Sequence, residues 1–482
     1  MQKLKQIKKQ YDLLSVEAKA ILWYTFCNVA QKGINMIVVP IYTRLLSPSE
    51  YGIFSVFNSW LQIFEIIATF HLFGGSYTVG LIKFEDRKKE YTSSLVKLSA
   101  GITTCFLVIY FIFQEQINAF TKMDTVMTLC LFVLLYTTPI LGFWNVWERV
   151  ENNYIQMIIV TLTSTIFIPL LAIVSLLTIN QTAMSVIYSQ VLVNVIIVVT
   201  LLILFRSIFF KKGNKHFWAY GLRTSVPLLP HHMSTIILNQ SDRIMIQFLV
   251  GNTEAGIYSV AYSIALIMII FNSSFNTSLQ QWVFKCLKNN QTDSIGKVAN
   301  SSTFLICALN LMIIFFAPEA MYIFAPKAYY SAIWIIPPVS ISVVLMYIYQ
   351  QFVNVEFYYE EGKMIALGSV GAAIMNIVLN ALLIPQYGYL AAGYTTLISY
   401  AILTLFHYYF MKKICKKNEQ KARIYDIKTL IFTFILFLIM ASGALLTYEH
   451  MIIRYAILVL TGVVAFIKRD KIMDMWNSIK KK

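Results

Sequence analysis

Apolar runs dominate this sequence, near residues 18–42, 51–81, 91–114, 124–147, 154–178, 183–206, 222–250, 254–284, 298–318, 331–354, 364–384, 389–411, 428–446 and 451–467. About 20 helical residues cross a hydrocarbon core of about 30 Å, so runs of this length are spans. No water is available inside a bilayer to satisfy the backbone, so each span must satisfy its own N–H and C=O groups by being helical. With 58% hydrophobic and only 13% charged residues, the 482-residue chain lacks the polar surface that a water-soluble protein of this length needs. The expected fold is an all-α polytopic membrane protein of about 14 transmembrane helices.

The hairpin between the first two spans occurs twice. A shift of 204 lays Arg44 to Trp60, RLLSPSEYGIFSVFNSW, over Phe248 to Ile264, FLVGNTEAGIYSVAYSI, with seven of 17 positions identical. The shared residues include Glu50/Glu254, Gly52/Gly256, Ile53/Ile257, Ser55/Ser259 and Val56/Val260, and Asn35 and Asn239 coincide just upstream. A hairpin repeated half a chain apart implies two homologous halves, and transporters built this way hold their substrate at the seam. The expected division is an N-lobe at 1–215 with spans 1 to 6, a C-lobe at 216–411 with spans 7 to 12, and an accessory pair with a basic tail at 412–482.

Charge placement gives the orientation. With the N-terminus inside, 32 of the 39 Lys and Arg fall in inner segments and 4 in outer loops, while Lys32, Lys97 and Arg243 lie within spans. Both termini are therefore expected to be cytoplasmic. The stretch from Met1 to Ala20 lacks an apolar signal-peptide core, so the first span is expected to be the insertion signal. The net charge of +16 follows from topology and from attraction to anionic headgroups, and needs no nucleic-acid partner. Six scattered cysteines, five of them inside apolar runs, read as small core residues. The sequence has no GxxxxGK[ST] loop for ATP, and its outer loops are too short for a membrane polymerase or transferase that works outside the cell. His231 and His232 have no nearby Cys or carboxylate at metal-ligand spacing, so neither a metal nor another cofactor is expected, apart from a coupling H+ or Na+.

Polar residues inside the spans recur on single helical faces: Asn28, Lys32, Asn35; Asn58, Gln62, Glu65, Thr69; His232, Thr235, Asn239, Asp242/Arg243, Gln247. Asn272, Asn276 and Gln280, then Gln351 and Asn354, then Asn376 and Asn380, extend the series. A charge in the bilayer costs at least about 2.5 kcal/mol, so these faces require partners or water. Two readings stand: a hydrated cavity, or polar contacts that fasten helices together. Lys32 and Glu65 lie at depths that allow them to pair. Glu148, Arg149, Glu151, Glu356, Glu360 and Glu361, at span ends, read as solvated.

Pro40, Thr43-Arg44, Leu46, Glu50-Tyr51-Gly52 and Phe54 resemble the opening signature of bacterial polysaccharide flippases (O-antigen or capsule repeat-unit) of the multidrug/oligosaccharidyl-lipid/polysaccharide exporter superfamily. Pro227, Pro230, Asp242-Arg243, Gly251, Gly256, Tyr258 and Tyr262, then Ile384 to Gly388 and Ala391-Ala392-Gly393, are similar to later motifs of that family. The resemblance implies a V-shaped transporter in the bacterial inner membrane. It would move undecaprenyl-diphosphate-linked oligosaccharide to the outer leaflet by alternating access, with membrane lipids and glycan polymerase machinery as partners. Arg44, Asp242 and Arg243 carry over by motif. On physical grounds Lys32 and Arg243 are assigned to the diphosphate, while Asn35, Asn239, Tyr258, Tyr262, Asn272 and Asn276 are assigned to the glycan. Glu65 or Asp242 is assigned to ion exchange. A lipid II or teichoic-type precursor flippase, a drug/cation antiporter and, more remotely, a glycan polymerase are the alternatives.

Overall fold

In the computed structural model, which describes residues 15–418 and 424–467, with backbone alone for Ser274 and 461–467, no strand occurs among the described residues. The basic stretches at 1–14, 419–423 and 468–482, on which part of the expected orientation rests, lie outside the described residues. The longer described helices, in chain order, are α1 (Val16–Leu45), α2 (Pro48–Thr69), α3 (Lys88–Ile112), α4 (Thr125–Val150), α5 (Tyr154–Thr178), α6 (Ala183–Leu204), α7 (Leu229–Leu249) and α8 (Asn252–Ala265), then α9 (Ile267–Lys288), α10 (Thr292–Phe315), α11 (Ile336–Tyr358), α12 (Gly362–Tyr387), α13 (Leu390–Lys417), α14 (Ile427–Leu446) and α15 (Met451–Ile467).

Among the described residues ten helices are long and apolar enough to cross a membrane, or eleven when α8 and α9, bent by 41° at their junction, count as one span. The expectation of 14 spans exceeds this number. Polar stripes lower the mean hydropathy of α1, with Asn28, Gln31, Lys32 and Asn35, and of α7, with two His, Asp242 and Arg243. The apolar stretch of α15 is short, Met451–Leu460.

The repeat seen in the sequence extends to the element boundaries. Leu45 and Leu249 end α1 and α7, Pro48 and Asn252 begin α2 and α8, and Lys88 and Thr292 begin α3 and α10, every pair related by the same shift of 204 as the sequence identities. Even the eight-residue helix after α3, Gln114–Thr121, has its counterpart in Ala317–Phe324 after α10. The two hairpin loops are capped differently. Ser47 accepts from the Glu50 N–H at 3.2 Å, with Pro48 in the first turn. In the second copy Gly251 takes φ 156, where a side chain is strained and a Cβ would lie 2.8 Å from Glu254 Oε2.

Packing divides the chain into two units, Met1–Ile236 and Ile237–Lys482. This boundary falls later than residue 215 because the segment after α6 is tied to α3 of the first unit. Ser93 Oγ lies 2.7 Å from the carbonyls of Phe209 and Lys211, and Trp218 Nε1 donates to Ser94 O at 2.8 Å. In the first unit α5 packs on α1 and α6, and α4 packs on α2, α3 and α6. Glu50 fixes the α2 start to the α6 start by accepting from Ala183 N–H at 2.6 Å. In the second unit α11 and α12 pack on α13, and α14 lies along α10. Of the cysteines, only Cys105 is exposed.

A cluster of Leu72, Tyr77, Tyr91, Phe143, Trp147 and Phe217 forms one core of the first unit. Gly80 lets Tyr91 enter it, since a Cβ there would sit 2.2 Å from the Tyr91 hydroxyl oxygen. Tyr91 is fully buried and has nowhere to retreat. Gly80→Ala is therefore expected to destabilise the purified protein by about 1–3 kcal/mol, read as a lowered melting temperature in detergent. An unchanged melting temperature would show that the ring can shift.

Candidate functional site: a buried carboxylate beside a guanidinium

Adjacent residues on a helix point about 100° apart, so Asp242 and Arg243 of α7 serve different surroundings. Among the described residues they form no ion pair with each other. Asp242 is 1% exposed and accepts three hydrogen bonds: from Tyr258 Oη of α8 at 2.6 Å, Asn380 Nδ2 of α12 at 2.7 Å and Thr396 Oγ1 of α13 at 2.7 Å. A second layer holds those donors. Asn380 Nδ2 also reaches Asn376 Oδ1 at 3.2 Å, Ser241 Oγ donates to the same oxygen at 3.0 Å, and Thr395 Oγ1 donates to Asn380 Oδ1. One carboxylate thus joins four helices of the second unit through side chains that are all buried.

Arg243 turns the other way. Its Nη1 donates to Asn239 O at 2.9 Å and to Gln240 Oε1 at 2.7 Å, and its guanidinium carbon lies 4.6 Å from the Tyr262 ring centroid. Tyr262 in turn donates to Asn239 Oδ1 at 3.4 Å. Arg243 is 8% exposed, and among the described residues its Nη2 and Nε donate to no protein acceptor.

The remaining sequence candidates are not gathered here. Asn272 is fully buried and donates to Val343 O at 2.8 Å, while Asn276 Oδ1 accepts from Asn354 Nδ2 at 2.9 Å. Both fasten α9 to α11. In the first unit Lys32 and Asn35 are exposed on α1, and Arg44 Nη1 donates back to Pro40 O at 2.8 Å. Glu65 is half-buried on α2, and no ion pair joins it to Lys32 among the described residues.

Two residues read from sequence as solvated span ends are buried. Glu356 is fully buried, with both carboxylate oxygens 3.0 Å from Nδ1 of the equally buried His407. Glu148 is also fully buried. Nearness to a helix end suggested solvent for both, but each side chain is on the buried face of its helix, with the adjacent Arg149 and Phe357 exposed. The second layer around Asp242 was only half visible in the sequence. Asn376 and Asn380, spaced i and i+4, were an available signal, whereas Ser241, Thr395 and Thr396 are of a type common in any helix.

The helical architecture is that of a membrane transporter. The lipid II flippase MurJ in an inward closed conformation superposes with a TM-score of 0.69 at 15% identity, covering 94% of this chain and 100% of that one. An inward-facing multidrug resistance transporter of the MATE family, in the MOP superfamily, superposes with a TM-score of 0.64 at 13% identity, covering 80% and 96%. Residues 18–284 match the family described as "Polysaccharide biosynthesis protein", and the chain belongs to that family. The probable low-salt glycan biosynthesis flippase Agl15 of Haloferax volcanii is 21% identical over 424 residues, covering 84% of this chain and 86% of its own length.

Removing one donor from a buried carboxylate costs about 1–3 kcal/mol. Tyr258→Phe is expected to lower stability by that much in the wild-type background and by clearly less in Asp242→Asn, where the charge is gone. A thermal-denaturation double-mutant cycle measures the difference, and additive effects would place the Tyr258 hydroxyl outside the Asp242 network.

Proposed function

We propose that the chain is a flippase that moves a polyprenyl-diphosphate-linked oligosaccharide from the cytoplasmic to the outer leaflet of the cytoplasmic membrane by alternating access, with cation coupling. Three things support this reading: membership of a polysaccharide biosynthesis family, a relative named as a glycan biosynthesis flippase, and a transporter fold. The observation that carries it is the Arg243 guanidinium, preset by Asn239, Gln240 and Tyr262 and keeping Nη2 and Nε for a ligand. Those two nitrogens match two oxygens of a phosphate, as a point-charge ammonium does not. A cationic drug would be repelled by the same group, which weighs against antiport of cations.

Asp242 is the better candidate for the coupling ion. Its carboxylate accepts from Tyr258, Asn380 and Thr396, with the amide oxygens of Asn376 and Asn380 in the layer behind, and such carboxylate, hydroxyl and amide oxygens are hard ligands suited to Na+ or to a proton. Rotating the Asn380 amide would present oxygen in place of nitrogen. Tyr258, already committed to Asp242, then acts as a link between the ion and the wall that bears Arg243, not as a sugar ligand. Lys32 and Arg44, exposed on α1, remain candidates for contacts with the glycan or diphosphate in the first unit. The inside placement of both termini belongs to the same proposal and is supported by the Lys and Arg asymmetry of the loops.

Arg243→Ala is expected to abolish surface glycan in cells that depend on this chain while its amount in the membrane stays unchanged. Arg243→Lys is expected to restore export only in part, because charge returns without the fork. Normal surface glycan in Arg243→Ala removes the guanidinium from the substrate path. Accumulation of a cell-wall precursor, with surface polysaccharide intact, would reassign the substrate to the lipid II or teichoic class.

A further inference from the structure

Glu148 and Glu356 occupy the same place in the two repeats. A shift of 208 relates them, as it relates the helix starts Tyr154 and Gly362 and the left-handed turn residues Asn152 and Glu360, both at φ 58. Asn153 N–H donates to Glu148 O at 2.9 Å, and Glu361 N–H donates to Glu356 O at 3.0 Å. Both side chains are fully buried. Their surroundings differ in one respect. Glu356 is met by His407 of α13, whereas neither carboxylate oxygen of Glu148 has a hydrogen-bonding partner among the described residues. Counted from the starts of α6 and α13, Ala183 and Leu390, the position matching His407 is Thr200, and its hydroxyl donates back to Ile196 O at 2.8 Å. The first repeat keeps the buried acid and lacks the group that accompanies it in the second.

Among the described residues no nearby cation makes up the loss. Arg149 is exposed and stacks over Tyr24 of α1 at 5.6 Å, and Tyr24 reaches only the Glu148 backbone oxygen. Lys88 of α3 is held by Glu151 at 2.5 Å, and Lys83 of the 75–83 helix lies over the Tyr220 ring at 4.9 Å. Of the other helices packed on α4, α2 brings Glu65 with His71 beyond its end, while α5 and α6 carry no Asp, Glu, Lys, Arg or His. The Asn153 side chain, just past the helix end, is near enough to act on the Glu148 carboxylate as a donor but completes no hydrogen bond to it. One turn earlier on the same face, Asn145 Oδ1 is also buried and also lacks a partner. Among the described residues no donor completes a hydrogen bond to any of these three acceptor oxygens. An ionised carboxylate without cation or donors is among the costliest groups to bury, and the neutral acid removes both the charge and one unmet acceptor by supplying a donor.

We propose that Glu148, with Asn145 as hydrogen-bond acceptor, is a proton-binding site of the first unit, in which the carboxylate takes a proton from water at the exposed α4 terminus and returns it there. The acid O–H then donates to Asn145 Oδ1. The second unit meets the same requirement with the His407 ring. The binding itself stands on the geometry of α4 alone; only its use in transport rests on the flippase reading.

Infrared spectroscopy of the purified full-length protein tests this directly. At neutral pH the wild type is expected to show a protonated-carboxyl band that Glu148→Gln lacks, equivalent to one acid per chain. Asn145→Ala should shift that band to higher frequency, because its hydrogen bond is lost, and exchanging Na+ for K+ should leave it in place. If Glu148→Gln does not fold, the Asn145→Ala shift carries the test. Superimposable spectra for wild type and Glu148→Gln, no shift in Asn145→Ala, or loss of the band on adding Na+ would overturn the proposal. Normal glycan export in Arg243→Ala would instead sink the flippase reading and leave the infrared result untouched.

Discussion

A carboxylate that is 1% exposed inside a helical membrane protein must be given donors, and the three that Asp242 receives come from α8, α12 and α13. The position of the C-terminal half of α7 within the second unit follows from that requirement. Arg243, the next residue, is then aimed at the Tyr262 face instead of at Asp242. Had the two charges been paired with each other, neither would call on these separate sets of partners.

Long apolar runs and the repeated hairpin were plain in the sequence because both depend on patterns that tertiary packing cannot hide. The helix boundaries at Leu45, Pro48 and Lys88, with Leu249, Asn252 and Thr292, repeat the same spacing as the identities Gly52/Gly256 and Val56/Val260. Span counting was less secure where a helix carries a polar stripe, as in α1 and α7. There the residues that give the helix its chemistry also make it look less like a membrane helix.

Single polar side chains were harder to assign. Asn272, Asn276 and Asn354 are of the same type as Asn376 and Asn380, yet the first three fasten α9 to α11, while Asn380 donates to a carboxylate and Asn376 backs it. Periodicity identifies the face of a helix but not its neighbour, and here the neighbour decides whether an amide acts as a fastener or as part of a site. Charged groups near span ends misled for a related reason. Arg149 is exposed and the adjacent Glu148 is fully buried, a contrast set by helix phase.

The repeat preserves backbone positions more faithfully than chemistry. At a shift of 204, Asp242 and Arg243 correspond to Val38 and Val39, and Tyr258 to Phe54, while Asn239 corresponds to Asn35. The first copy of the hairpin therefore has the fold of the second without its charged centre. Glu148 and Glu356 show the opposite case, a shared acid whose carboxylate, among the described residues, has a hydrogen-bonding partner in only one copy. Main-chain features such as helix starts and turn residues survive duplication because many residues share in setting them, whereas a single substitution in one copy is enough to add or remove a buried charge or its partner.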